Sequence, residues 1–260
     1  MKVVAAELGI DVLQPESVRE IIPQLRAMDA DLFVVASYGE ILSQTVLDIP
    51  RTGAFNVHPS LLPLYRGATP LQTQIRDRCT VTGVTIIAMD AGMDTGDILV
   101  REQVSLGERE TYGELEARLA DLGAQALIHA IRLAERGELK PVAQAALATQ
   151  AEIDATLTRP LRTADLRIDW SRRAIEVDAL VRSLSPQPCA RGEIEGVSAK
   201  IIATHPLDTS TSEPPGTPSK IPHGLAVACG EGAVAIDRVV PANRSAMSGE
   251  AFAASLFARP

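Results

Sequence analysis

Apolar and polar positions follow two different rhythms along this chain. Residues 31–37 and 82–89 are nearly continuous runs of apolar and β-branched residues, the pattern of strands that are covered on both faces of a sheet. Residues 17–28, 69–78 and 111–137 have the composition and apolar spacing of helices. The first half of the chain is therefore predicted to alternate strands with helices.

The stretch 111–137 has the clearest helix signal. Thr111 and Glu114 have the spacing of a capping box, in which each side chain satisfies a backbone donor at the start of a helix. The apolar residues that follow recur at helical spacing and predict one buried stripe, formed by Leu115, Leu119, Leu122 and Ala126.

Further strands are predicted at 53–57 and 99–105. Strands alternating with helices predict an α/β fold, here an open, mostly parallel, Rossmann-like sheet in a first domain that spans residues 1–139. Ligands of such sheets bind beyond the carboxyl ends of the strands. Residues 140–168 contain few strand signals and are predicted to form a linker.

A change to strand-rich sequence follows the prolines at 186 and 188. Strands are predicted at 193–203, 224–229 and 233–240, with a glycine-containing hairpin turn between the last two. Residues 209–222 are predicted to be a loop because of their Ser, Thr and Pro content. Residues 169–260 are therefore expected to form a second domain, a small β-barrel.

The composition is that of an ordinary globular protein. Of 260 residues, 46% are hydrophobic and 22% are charged, and no apolar run approaches the length of a membrane span. Residues 1–155 hold 13 Lys and Arg against 22 Asp and Glu, whereas residues 156–260 hold 12 against 11. This charge argues against a protein that coats nucleic acid but leaves room for a local basic face on the second half.

The cysteines restrict the cellular compartment and the kind of site. Cys79, Cys189 and Cys229 are far apart, so they predict neither a disulfide framework nor a zinc site. Reduced thiols of this kind are typical of a cytoplasmic protein. We expect a cytoplasmic monomer without a membrane segment or a metal site.

Candidate chemistry is concentrated at the end of strand 53–57 and in the loop after strand 82–89. Asn56 and His58 are two positions apart, so in a strand both project from the same face. The later loop, MDAGMDTGD, supplies Asp94 between glycines. An amide that donates to an oxyanion, an imidazole that moves protons and a carboxylate beside it are the groups that acyl transfer to an amine requires.

These residue types also have structural interpretations. A histidine near a strand end is most often a structural hydrogen-bonding group, and an aspartate in a glycine-rich loop most often forms a turn. Asp90 and Asp97 are expected to form turns, and Arg172 with Arg173 a solvated helix face. The other histidines are expected to be structural or solvent-facing: His129, His205 and His223.

The order of the motifs adds a family resemblance. FNVHPSLLPLYRGATP followed by TGVTIIAMDAGMDTGDIL resembles, position by position, the formyltransferase family that uses 10-formyltetrahydrofolate. The resemblance implies that Asn56, His58 and Asp94 are catalytic and that no metal takes part. It implies that residues 38–42 and 90–94 line a pterin pocket, largely through backbone groups. It also implies a folate loop made of Ser60, Leu61, Leu62 and Pro63.

The second half resembles the C-terminal domain of the family members that formylate methionyl-tRNA. The matching segments are DLRIDWSRRAIEVDALVRSLSPQP, EIEGVSAKI, a PPGT loop and AMSGEAF, although Gln187 stands where the family usually has an aromatic residue. In those members the barrel is similar to an OB-fold and holds tRNA. The resemblance implies transfer of formyl to the α-amine of initiator methionyl-tRNA, for translation initiation. Two alternatives stay open: a sugar amine or purine precursor as acceptor, and an inactive folate- or tRNA-binding remnant.

The resemblance also bears on the start of the chain. It aligns residues 1–15 with a segment well inside the family's first domain, so a preceding strand–helix–strand unit is expected to be absent. In the family the first strand of that unit is central in the sheet. We therefore expect the apolar residues of 31–37 to be exposed and to lack main-chain partners on one side.

Overall fold

The first half of the chain folds into a four-stranded sheet with helices packed against it. The computed structural model describes residues 2–209 and 211–258. The strands, in the sheet order β1-β2-β3-β4, are Phe33–Ala36 (β1), Ala54–His58 (β2), Val81–Ala88 (β3) and Ile98–Ser105 (β4). The helices of this half are Lys2–Glu7 (α1), Ile22–Ala27 (α2), Gln44–Leu47 (α3), Pro70–Arg76 (α4) and Tyr112–Glu135 (α5).

The α/β sheet is confirmed, but the prediction that it is mostly parallel is wrong for the described strands. Only β1 and β2 run parallel, whereas β3 is antiparallel to both β2 and β4. Residues 89–97 join β3 to β4 as a hairpin loop, which is too short for the crossover that a parallel pair needs. Thr85 of β3 lies opposite His58, the last residue of β2, so β3 starts beyond that end and the chain re-enters the sheet from the edge where β2 ends.

The capping box and the apolar stripe predicted for helix α5 are confirmed. The capping box is formed, with the Thr111 side chain bonded to the Glu114 backbone and the Glu114 side chain bonded in return. Leu115, Leu119 and Ala126 are buried against the sheet, and Leu122 is partly buried beside them. This stripe covers one face of β2, β3 and β4 and holds them in a single core.

Strand β1 lies at the edge of the sheet. Its residues alternate between partly buried and exposed, and Val34 is 47% exposed. Phe33 and Val35 pack inward against Val46 and Leu47. The exposure expected for the apolar run 31–37 is therefore observed on one face of β1.

Residues 140–168, predicted to be a linker, pack against the first sheet. They contain helix α6, Gln150–Ala155, and two short 3-10 turns at Gln144–Ala146 and Thr163–Leu166. Val142 forms a bridge with Ile98 at the start of β4, and Thr158 forms a bridge with Gly67. This segment therefore contacts the loops that carry the candidate site.

The second half forms an antiparallel sheet, with one helix before its first strand and one helix after its last strand along the chain. Its strands are Ala190–Ile194 (β5), Val197–Leu207 (β6), Pro218–Ile221 (β7), Gly224–Ala228 (β8), Ala233–Pro241 (β9) and Met247–Ser248 (β10). The order is β5-β6-β9-β8-β7, with β10 beside β9. The helices are Ala174–Ser183 (α7) and Gly249–Phe257 (α8).

Two sequence predictions in the second half are corrected by this sheet. The predicted strand 193–203 is a hairpin, because Glu195 and Gly196 both have positive φ and turn the chain between β5 and β6. The predicted loop 209–222 contains β7, which pairs with β8 in spite of the prolines around it. Helix α7 packs on this sheet through Val177 and Val181, and Leu184 is buried just after its end.

Two arginines and one carboxylate join the halves. Asp178 on α7 is buried and accepts hydrogen bonds from Arg182 and from Arg109, which lies between β4 and α5. Thr204 of β6 donates to the other oxygen of Asp178. This cluster fixes the position of α7 against the first half.

Among the described helices, none has the length and apolar character needed to cross a membrane.

Candidate active site

A cleft of about 420 Å³ opens along the first sheet. One wall is formed by residues 37–42, which follow β1, and another by the loop after β3. The lining also includes Asn56, His58 and Asp94. The structure therefore brings the two segments predicted to line a pterin pocket into the same cleft as the three candidate catalytic side chains.

Asn56 and His58 lie on β2, and Asp94 reaches them from the hairpin loop. Asn56 Nδ2 donates to Asp94 Oδ1 at 3.3 Å. His58 Nδ1 is 3.6 Å from the same oxygen. One carboxylate oxygen thus faces both the amide and the imidazole, so the three candidate side chains lie together.

The route by which Asp94 arrives differs from the expectation. Because β2 and β3 are antiparallel, their carboxyl ends lie at opposite edges, with Phe55 of β2 opposite Ala88 of β3. The mostly parallel sheet predicted from the sequence would place both motif loops at one edge, and this expectation is wrong. The loop after β3 starts beside Ala54, where Met89 donates to its carbonyl, and returns over the sheet to Asn56.

The tautomer of His58 follows from its second partner. His58 Nε2 lies 3.0 Å from the carbonyl oxygen of Tyr65, which can only accept a hydrogen bond. Nε2 therefore carries the proton, and in the neutral ring the lone pair is on Nδ1, facing Asp94. The side chain is buried, with the residue only 3% exposed.

Burial lowers the pKa of His58 below its ordinary value, and the nearby Arg66 charge lowers it further. The Asp94 carboxylate and the hydrogen bond to Tyr65 act in the opposite direction. Burial is the largest cause, so the ring is neutral at neutral pH. A neutral imidazole with its lone pair beside a carboxylate is suited to accept a proton from a cationic group that enters between them.

Asp94 is held by its backbone and by the first motif loop. Its φ is 55°, in the left-handed region that aspartate tolerates better than most residues. Its Oδ2 accepts a hydrogen bond from the Gly67 backbone at 2.8 Å. Gly67 itself has φ of 108°, and a Cβ there would lie 2.2 Å from the carbonyl oxygen of Thr158. Only glycine fits this close approach.

The predicted folate loop lies behind the site. None of its side chains contributes to the lining of the cleft described above. Ser60 and Leu62 are fully buried, and Ser60 Oγ donates to the Leu64 carbonyl. Thr85 of β3 donates to the Ser60 carbonyl and accepts from the Leu62 backbone. With Leu61 against Gly83 and Pro63 buried, the geometry gives the loop a supporting position next to His58.

Several residues at the site had no predicted role. Arg66 and Gln144 bond to each other beside Asp94, and Thr158 holds the backbone of Arg66. Tyr112 and Glu116 of α5 add a polar wall to the cleft. A motif comparison could have drawn attention to Arg66, which lies within the first motif. Gln144 and Thr158 lie in a segment without a periodic pattern, so no signal in the sequence identified them.

Residues with structural interpretations behave largely as expected. Asp90 bonds to the Gly92 backbone and to Thr95, so it forms a turn, although it also lines the cleft. Arg172 and Arg173 pair with Glu176 on an exposed helix face. Across the described ranges, no cluster of three His, Cys, Asp or Glu side chains is arranged to hold a metal.

An α/β domain with this cleft, followed by an antiparallel sheet, has a family counterpart. Residues 5–131 match the family described as formyl transferase, and residues 160–256 match the formyl transferase C-terminal domain. The chain belongs to the formyl transferase family.

Individual relatives of this chain carry a more specific name than the family does. The chain is 43% identical to the methionyl-tRNA formyltransferase of Anaeromyxobacter dehalogenans over 246 residues, which is 92% of this chain and 77% of the relative. It is 41% identical to the methionyl-tRNA formyltransferase of Dinoroseobacter shibae over 244 residues, again covering 77% of the relative.

Solved structures share the fold at low sequence identity. HypX from Aquifex aeolicus, solved with tetrahydrofolic acid, superposes with a TM-score of 0.70 at 16% identity, covering 94% of this chain. The chain spans only 42% of HypX. The sugar 3N-formyl transferase WlaRD superposes with a TM-score of 0.66 at 17% identity, covering 94% of this chain and 82% of WlaRD.

Proposed function

We propose that this protein transfers a formyl group from 10-formyltetrahydrofolate to the α-amino group of methionyl-tRNA. The observation that carries the proposal is the cluster of Asn56, His58 and Asp94 at the cleft, in a chain closely related to methionyl-tRNA formyltransferases. Such an enzyme prepares initiator tRNA for translation and acts in the cytoplasm. We propose that it works as a monomer.

The cleft supports a folate donor. Its volume of about 420 Å³ lies within the range typical of small-molecule sites. Val35, Leu42 and Met89 offer apolar contact, and the backbone of residues 37–41 offers donors and acceptors for a pterin edge. Residues 37–42 and 90–94 would hold the ring. The loop 60–63 would act by supporting His58, since its side chains lie outside the lining.

His58 and Asp94 are proposed to manage the protons. An α-amino group has a pKa near about 8 and must lose a proton before it attacks. The Nδ1 lone pair of His58 accepts that proton, and the resulting imidazolium is stabilised by Asp94 on one side and the Tyr65 carbonyl on the other. That proton passes to the nitrogen that leaves when the donor's C–N bond breaks, and His58 then accepts the second proton, which the attacking nitrogen loses as it becomes the product amide, and releases it to solvent. This proton shuttle needs no metal.

Asn56 is proposed to stabilise the oxyanion. As the amine nitrogen bonds to the formyl carbon, negative charge develops on the formyl oxygen and needs a preorganised donor. Asn56 Nδ2 is available for this role once it leaves Asp94 Oδ1, a contact that is long at 3.3 Å. An amide remains neutral throughout, so it donates without competing for the proton.

The second domain is proposed to contact the tRNA, as an OB-fold-like barrel spanning residues 169–260. The proposed first domain spans residues 1–139, and residues 140–168 link it to this barrel. In support, three exposed cations form a row: Arg167 bridges to Arg191, and Arg191 pairs with Lys200 across β5 and β6. Such a row suits a phosphate backbone, and reversing these charges should weaken tRNA binding in a salt-dependent way.

A competition between acceptors tests the proposed function. Purified protein is incubated with 10-formyltetrahydrofolate and either methionyl-initiator tRNA or a nucleotide-linked amino sugar, because WlaRD is a sugar formyl transferase of similar fold. Formylation of the tRNA in preference to the sugar supports the proposal. Preference for the sugar, or folate binding by calorimetry without any turnover, would contradict it.

A further inference from the structure

Gln144 lies in the segment that joins the two domains along the chain and is buried, with only 3% of the residue exposed. It begins the 3-10 turn Gln144–Ala146. Two residues earlier, Val142 exchanges both backbone hydrogen bonds with Ile98 at the start of β4, at 2.9 Å each. That bridge sets the segment beside the aspartate loop, so the Gln144 side chain enters the space between the two motif loops.

Both ends of the Gln144 amide are fully used. Its Nε2 donates to the backbone carbonyls of Asp94 at 2.8 Å and Gly96 at 2.7 Å. Its Oε1 accepts from Arg66 Nε at 3.0 Å and Nη2 at 2.8 Å. One side chain thus ties the backbone on either side of Thr95 to the end of the first motif loop.

We propose that Gln144 is a positioning residue that holds the Asp94 carboxylate against His58. Asp94 has a positive φ, a conformation that persists only where surrounding contacts determine it. Two of those contacts are the carbonyl bonds from Gln144, and two others reach the carboxylate, from the Gly67 backbone to Oδ2 and from Asn56 Nδ2 to Oδ1. The kinetic consequences of this inference rest on the proposed function.

Two substitutions separate the donor and acceptor roles of Gln144. Gln144→Glu keeps an oxygen for Arg66 but replaces the donor with a second acceptor, which repels the carbonyls of Asp94 and Gly96. Gln144→Met has a similar shape and removes both sets of bonds. Thr149→Ala is the matched control: it breaks the capping box of α6 in the same segment without touching either motif loop.

Steady-state kinetics give the first readout. If Asp94 is misplaced, Gln144→Glu and Gln144→Met each lower kcat by at least about tenfold while KM for methionyl-tRNA changes less than about threefold. Thr149→Ala lowers the melting temperature and keeps kcat within about twofold of wild type. Wild-type kcat in Gln144→Met, or a loss in Gln144→Met that Gln144→Glu does not share, overturns the proposal. The second result would assign the role to Arg66 instead.

Hydrogen exchange gives a readout that does not depend on turnover. In both Gln144 variants the backbone amides of residues 92–97 are expected to exchange faster, while those of β2 and β3 keep their wild-type rates. Faster exchange across the whole sheet, or no change at 92–97, means that Gln144 only supports stability. Absence of formylation by the wild-type protein would remove the proposed function and leave this structural test of Gln144 intact.

Discussion

At the scale of single residues, the proposed function depends on the protonation state of one imidazole. His58 is buried, donates through Nε2 to a carbonyl, and keeps its Nδ1 lone pair toward Asp94. A surface histidine would be partly charged near neutrality, but burial keeps this one neutral and ready to accept a proton. The environment, more than the residue type, makes His58 suitable as a base.

Replacing His58 by glutamine should remove the base and preserve the fold. The amide of His58→Gln can still donate to the Tyr65 carbonyl but cannot take up a proton. We expect kcat for formylation to fall by about 10²–10⁴, the usual contribution of a general base. His129→Gln, on an exposed face of α5, is the control and should leave kcat unchanged. A His58→Gln enzyme with wild-type kcat would exclude the imidazole from the chemistry.

The lowered pKa of His58 also predicts how stability depends on pH. In the unfolded chain a histidine takes up a proton near about pH 6.5, whereas in the folded protein it does so only at lower pH. Stability is therefore fully retained above about pH 6.5 and falls as the pH decreases toward the lower, folded pKa. Urea unfolding between pH 7.5 and 5 should show this loss, and His58→Gln should show less of it. Identical pH slopes for the two proteins would contradict the burial argument.

At the scale of elements, the site is assembled by close approaches of loops. Gly67 joins β2's motif loop to the segment after α6, where Thr158 donates to the Arg66 carbonyl and accepts from Thr69. The same Gly67 amide donates to Asp94. The loops therefore hold each other, and the sheet below supplies only Asn56 and His58.

Gly67→Ala should disturb both stability and activity. The new Cβ would lie 2.2 Å from the Thr158 carbonyl oxygen and would occupy a φ of 108°. We expect a loss of about 1–3 kcal/mol in urea unfolding, together with a lower kcat because the bond to Asp94 shifts. Gly137→Ala shares a positive φ but has nothing within 4 Å, so it isolates the conformational cost. Equal losses in the two variants would show that the close approach is unimportant.

Local signals explain which elements could be predicted. Helix α5 was predictable because its capping box and its apolar stripe lie within a single stretch of sequence. The direction of β3 was not predictable, since it depends on how the chain returns after α4. The turn at Glu195 was not predictable either, because it lies within an alternation of apolar and polar residues that is typical of a continuous strand. Asn56, His58 and Asp94 could be named from motif order, but Gln144 could not. Its role arises from a bridge between Val142 and Ile98, residues that are distant in sequence.

At the scale of the whole molecule, a buried ion cluster fixes the second half against the first. Asp178 is 2% exposed in its side chain and contacts Arg109 at 2.8 Å and Arg182 at 2.8 Å. Asp178→Ala would leave the buried Arg182 without its counter-ion and the half-exposed Arg109 without its partner. We expect the free energy of unfolding to fall by about 3–5 kcal/mol.

The exposed pair of Arg136 and Glu138 provides the control for that prediction. Both side chains are more than half exposed, and Glu138→Ala should change the free energy of unfolding by less than about 1 kcal/mol. Both variants are measured by urea unfolding at one pH. A small effect of Asp178→Ala would mean that the halves are joined by apolar packing alone.

The central claim is that the Asp94 carboxylate, carried over the sheet by an antiparallel hairpin, assists the imidazole of His58 in formyl transfer. Single-turnover formylation of methionyl-initiator tRNA by wild type, Asp94→Asn and Asp97→Asn tests it most directly, because Asp97 is an exposed aspartate of the same loop. We predict that Asp94→Asn slows the transfer by at least about 10² and that Asp97→Asn transfers at the wild-type rate. Equal rates for wild type and Asp94→Asn would contradict the account.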